Sequence, residues 1–118
     1  MHSDQIVIDL SYFYSVTGGD KDFEQLLLSG TVTDIEDKIT ALDKCWDRND
    51  ASGVRKNAHA LISLAAIAGM PQVEVWSRKI DNAFTDEIFH PELVLVVNNI
   101  ICGWPGALLK LKQIMATG

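Results

Sequence analysis

Apolar residues recur at spacings of three and four along most of the chain, the period of one face of an α-helix. Ile35, Ile39, Leu42 and Trp46 form one such stripe. Val54, Ala58, Leu61, Ala65 and Ala68 form a second, with Leu64 at its edge, and Val73, Trp76 and Ile80 a third. Runs of Val, Ile and Thr are short, and no Asn-Gly or Asp-Gly pair signals a hairpin, so strands are not expected. Asp9 offers a cap for a short first helix reaching residue 16, closed by Gly18-Gly19. Asp20 or Asp22 starts a second helix with Phe23, Leu26 and Leu27 on one face. Ser29-Gly30-Thr31 weakens its middle, and Thr33 with Glu36 has the form of a capping box. Residues 20–48 therefore read as one long helix, with a kink allowed, in preference to two. Asn49-Asp50 ends that element and caps the next, a helix over 51–68 that stops at Gly69. Pro71 opens a fourth, reaching about residue 84. His90-Pro91 opens the last, which Pro105 should break or kink by removing a backbone donor. The pattern predicts an all-α fold, an antiparallel four-helix bundle with a short additional N-terminal helix, spanning 1–118 as one domain.

Composition narrows the function classes. A length of 118 residues suits one domain, which buries roughly two thirds of its unfolded surface without disulfide or metal. A hydrophobic fraction of 47% excludes a disordered tail. The net charge of −6 argues against nucleic acid, whose phosphates require clustered Lys and Arg. Cys45 and Cys102 are far apart, lie on apolar stripes and belong to no CxxC pair, so they read as reduced core residues. The longest mostly apolar stretch is taken as 61–70, about half of a membrane span. Met1-His2-Ser3-Asp4 lacks the basic and apolar regions of a signal peptide. A soluble, cytoplasmic, monomeric protein with no membrane partner is expected, and Met1 close to the first helix points to a free-standing chain. Gly18-Gly19 lacks the spacing and the following Lys-Ser/Thr of a phosphate loop. No Ser/His/Asp order or Cys/His pair occurs, and a single Glu-x-x-His, at residues 87–90, is not the pair of such motifs on facing helices that a metal-storing bundle needs, so neither an autonomous enzyme nor a metal-storing bundle is expected. Trp46, Trp76 and Trp104 read as packing anchors.

The third helix carries the candidate chemistry. His59 lies two residues before Leu61, about 200° round the helix, and so points away from the buried stripe. Arg55 and Lys56 lie one turn before it on that outer face; Ile62, Ser63 and Ala66 follow it. Small neighbours leave the ring open to a macromolecule. An exposed imidazole flanked by cations suits transient covalent capture of an anionic group such as a phosphoryl. The same residues also fit an ordinary solvated helix face, and spacing alone leaves both readings open.

Ala58-His59-Ala60-Leu61-Ile62-Ser63, with Gly69 ten residues after the histidine, resembles the signature of histidine-containing phosphotransfer (HPt) domains. That family's pattern is roughly Ala-His-x-Leu-Lys-Gly, a small-residue stretch and a glycine. Asp9-Leu10 through Gly18-Gly19-Asp20 resembles the family's short first helix and Gly-Gly-Asp turn. Residues 42–50 match its usual spacing. Ile80-Asp81, 21 and 22 residues after His59, sits where it often has Leu-Glu. The resemblance implies a phosphorelay carrier whose His59 accepts a phosphoryl group from one receiver-domain aspartate and passes it to another. Its partners would be response-regulator receiver domains or a hybrid sensor histidine kinase. Nε2 would be the nucleophile, and Nδ1 would be oriented by a polar side chain of the fourth helix, for which Asp81 is the candidate. The resemblance implies no cofactor in this chain, Mg²⁺ belonging to the receiver. Two positions depart from the pattern: Ile62 replaces the family's lysine and Ser63 its glycine. Arg55 or Lys56 would supply the missing cation from the preceding turn, and Ser63 offers a hydroxyl. The departures keep a second reading alive, a degenerate docking or scaffold module that binds receivers without phosphotransfer. Retention of His59 favours the carrier.

Overall fold

The computed structural model describes residues 6–86 and 88–117, with the side chain of Thr117 left aside; the N-terminal Met1-His2-Ser3-Asp4 lies outside the described residues. Five α-helices run along the chain: α1 (Ser11–Thr17), α2 (Lys21–Asp47), α3 (Ala51–Ile67), α4 (Pro71–Ala83) and α5 (Val94–Thr117). Two short 3-10 turns, Phe84–Asp86 and Pro91–Leu93, lie between α4 and α5. No strand occurs among the described residues. α3 packs between α2 and α4, and α5 closes the bundle against those same two helices, diagonally across from α3. The antiparallel four-helix bundle with its short N-terminal helix is the expected one.

Local chemistry explains the boundaries. The Asp20 carboxylate accepts the Phe23 N–H at the start of α2, and Asp50 accepts that of Gly53 at the start of α3. Asp9 works one residue earlier than a helix cap should: its carboxylate takes the N–H and hydroxyl of Ser11, while Leu10 occupies the cap position. Gly18, at φ 63°, ends α1 and donates its N–H to the Tyr14 carbonyl. α2 passes through Ser29-Gly30-Thr31 as one helix. Thr31 and Thr33 turn their hydroxyls back to the Leu27 and Ser29 carbonyls, so Thr33 opens no fresh helix.

The core is one cluster in which all five residues of the α3 stripe, Val54, Ala58, Leu61, Ala65 and Ala68, are fully buried. Ile35 and Leu42 from α2, Val73 and Ile80 from α4, and Val97, Ile100 and Leu111 from α5 meet them. Trp104 is buried, whereas Trp46 and Trp76 are half-buried against the cluster, Trp46 beside Phe84 and Phe89.

Several expectations need correction. Leu28, not Leu26, faces the core; Phe23 and Leu26 are exposed, because the inward face of α2 is set by Leu28, Val32, Ile35 and Ile39. Cys102 is exposed and Cys45 only partly buried, so neither is a core thiol. Pro105 does not break α5. It sits on the exposed side, where solvent can serve the carbonyl that loses its donor. Residues 91–116 form a helical segment long and apolar enough to cross a membrane, a stretch that the reading of 61–70 passed over because Asn98-Asn99 and Gly103-Trp104-Pro105-Gly106 interrupt it. Its inner side packs on the bundle through Val97, Ile100, Trp104, Ala107 and Leu111.

Gly69 ties the N-terminal segment to the bundle. It lies at φ 71°, its carbonyl accepts the Asp9 N–H at 2.7 Å, and a Cβ there would collide with the Asp9 carbonyl. Gly69→Ala should therefore lower unfolding free energy by on the order of 2 kcal/mol. Gly30, inside α2 with open space where its Cβ would sit, should respond in the opposite sense. Gly30→Ala is expected to add about 0.5–1 kcal/mol. Urea denaturation of the two variants checks both signs.

Candidate functional site

Burial of the α3 stripe fixes the rotation of that helix, and with it the outward direction of every remaining α3 side chain. His59 accordingly stands on the surface with its side chain 73% exposed. One turn of α4 lies alongside. With Val73 and Ile80 fixed inward, Asp81 falls at the edge facing α3, its side chain only 15% exposed. Its two carboxylate oxygens are divided. Oδ2 is 2.9 Å from His59 Nδ1, and Oδ1 accepts from Arg55 Nε at 3.2 Å.

This bridge sets the electrostatics. Partial burial pushes the Asp81 carboxyl up, and the hydrogen bonds from His59 and Arg55 outweigh it and hold the group below its ordinary value. Asp81 is therefore ionised at neutral pH and can only accept. Nδ1 must be the donor, so in the neutral ring the lone pair lies on Nε2. Nε2 has no hydrogen-bond partner among the described residues and faces solvent.

Arg55, Lys56 and His59 line an open depression with Ser52. Arg55 spends its Nε on Asp81, whereas Lys56 is exposed and makes no ion pair among the described residues. Ser52, two turns before His59, was missed by the sequence reading; its helical phase was the available signal. Beyond the histidine, Ile62 and Ala66 are half-buried. Ser63 is exposed, with its hydroxyl 3.5 Å from the Ala60 carbonyl of its own helix. Gly69 stands apart, in the turn that ends the helix. The structure thus brings His59, Arg55, Lys56 and Asp81 together on the α3–α4 edge, and leaves Gly69 a backbone role. Among the described residues no cluster of His, Cys, Asp and Glu suits a metal ion.

No protein-family model matches the chain, and no curated protein matches it by sequence. Solved structures do match. The HPT domain from the Hpt sensor hybrid histidine kinase from Shewanella is similar with a TM-score of 0.82 at 11% identity, covering 94% of this chain and 95% of that one. Histidine-containing phosphotransfer protein B from Pseudomonas aeruginosa PAO1 is similar with a TM-score of 0.81 at 15% identity, covering 94% of this chain and 96% of that one. The chain has the HPt-domain fold. Sequence identity this low carries architecture only, so the chemistry of this HPt fold must be argued from its own residues.

The Asp81 bridge has a consequence in acid. Its folded pKa lies below the unfolded value, so the stability it contributes is present above the ordinary carboxylate pKa of 3.8 and is lost as pH falls through the lowered folded value. Asp81→Asn should flatten the loss of stability as pH falls below about 4, measured by urea denaturation over an acid series. It should also abolish the fixed ring tautomer, which ¹⁵N NMR of His59 at alkaline pH reads directly.

Proposed function

We propose that this chain is a histidine phosphocarrier of a phosphorelay, receiving a phosphoryl group on His59 from a receiver-domain aspartate and handing it to another. The observation that supports it most is an exposed Nε2, without a hydrogen-bond partner among the described residues, on a ring whose Nδ1 is held by Asp81 at 2.9 Å. In the forward step the Nε2 lone pair attacks the phosphorus of an aspartyl phosphate. A nitrogen–phosphorus bond forms as the bond to the carboxylate oxygen breaks, and the aspartate leaves as its carboxylate. Nδ1 keeps its proton, and the positive charge that attack places on the ring is balanced by the Asp81 carboxylate. The nucleophilic nitrogen carries no proton, so the step needs no general base in this chain. The return transfer is the same step reversed.

Lys56 and the terminal nitrogens of Arg55 lie beside the ring at the same depression, and they neutralise the phosphoryl oxygens. That arrangement stands in for the lysine that Ile62 replaces. Ile62 and Ala66 give the receiver a small apolar centre rimmed by charge, the composition of a transient signalling contact. Receiver domains, free or within a hybrid kinase, are the partners, with Mg²⁺ bound on their side. The chain itself acts as a carrier rather than an autonomous enzyme, in the cytoplasm where receivers reside.

Incubation with a panel of receivers charged by a small phosphodonor should place an acid-labile, alkali-stable label on the chain. His59→Gln should abolish it, and Asp81→Asn should slow transfer by roughly 10–100-fold. Ile62→Asp should weaken receiver binding with helicity unchanged. Receiver binding without any label would instead mark a docking module, and label surviving His59→Gln would place the acceptor elsewhere.

A further inference from the structure

The outer face of α5 carries exposed apolar side chains that the site leaves unused. Leu95 is 72% exposed and Leu109 is 59% exposed, and Cys102, also exposed, lies midway between them. The three recur every seven residues, so they form one stripe on the side opposite buried Val97, Ile100, Trp104, Ala107 and Leu111. Gly106 adjoins the stripe with open space where a Cβ would be, which allows a close approach of another helix.

The spacing is symmetric about Cys102. Leu95 lies seven residues before it and Leu109 seven after, so a second α5 laid antiparallel with Cys102 opposite Cys102 sets each Leu95 against the other copy's Leu109. Charge follows the same symmetry. Over residues 91–117 the only acidic side chain is Glu92 at the entrance, exposed beside His90, and the only basic ones are Lys110 and Lys112 at the end. Antiparallel alignment brings the acidic entrance of each helix to the basic end of the other, and opposes the two helix dipoles favourably.

We infer that the chain forms a two-fold homodimer through the outer face of α5, with Cys102 at the dyad. A contact limited to one helix face stays below the roughly 1,600 Å² of standard complexes, so the dimer is weak, with Kd in the range of roughly 10–500 μM. It departs from the monomer expected from sequence. Because α5 lies diagonally across the bundle from α3, both His59 rings stay open in the pair. The inference does not depend on the chemistry of His59.

Sedimentation equilibrium of the full chain in reducing buffer tests it. The weight-average mass should climb from 13.0 kDa towards twice that value as concentration rises to about 1 mM. Leu109→Glu, an exposed position, should hold it at the monomer mass with helicity unchanged. Glu92→Lys should weaken association about tenfold, and the added Lys110→Glu should restore it. In a Cys45→Ser background, mild oxidation should give a Cys102-linked dimer within the associating concentration range. A constant monomer mass up to about 1 mM would overturn the inference, as would association indifferent to Leu109→Glu. Binding of neutral phospholipid vesicles through Leu95 and Leu109 in place of self-association would overturn it too, assigning the face to a membrane surface.

Discussion

The rotation of α3 about its own axis is the constraint on which the rest of the molecule depends. Five side chains at helical spacing, Val54, Ala58, Leu61, Ala65 and Ala68, are all fully buried, and no other phase of the helix would bury them. Three of the five are alanines. Their small size lets α2 and α4 approach closely on either side, and that proximity brings an α4 carboxylate within hydrogen-bond reach of an α3 ring. A bulkier stripe would hold the helices apart and break the bridge. Packing thus comes first, and the outward histidine with its neighbouring acid follows from it.

The bridge itself is economical. One carboxylate, mostly buried at the α3–α4 edge, holds an imidazole with one oxygen and a guanidinium with the other. The arginine balances the charge that the acid brings to the interface, and the acid decides which ring nitrogen keeps the proton. Lys56 makes no ion pair among the described residues and adds a positive field at the rim in a chain of net charge −6. Such a field is suited to an incoming anion and is the reverse of the protein's average. Function enters here only as a proposal, because the fold shared with histidine-containing phosphotransfer structures at 11% and 15% identity fixes architecture, not chemistry.

Most of the fold was legible because helix caps, glycine stops and three-four spacing are local signals. Asp20, Asp50, Gly18 and Gly69 act where local chemistry places them. The errors came where a signal was local and the answer tertiary. Phe23 and Leu26 share a helical face with Leu27, yet the start of α2 turns on Leu28. Pro105 lacks a donor whatever surrounds it, but its exposed position makes that loss cheap. Cys102 lies among apolar neighbours in sequence and on the outer side of α5 in space. In the site, the outward direction of His59 could be read from the wheel, and Asp81 was named from the resemblance. The division of the Asp81 carboxylate between His59 and Arg55 depends on how two helices dock, so the helical wheel, which offers Arg55 and Lys56 as cations alike, does not show that the Arg55 Nε is held by Asp81.

The ring nitrogen that takes the phosphoryl group is the most direct test of the proposed carrier. Charging histidine-labelled protein from a phosphorylated receiver and resolving the nitrogen–phosphorus bond by ¹⁵N and ³¹P NMR measures it. Phosphorus bonded to Nε2 of His59, with Nδ1 still protonated, is the predicted result; phosphorus on Nδ1, or on a different side chain, would contradict it.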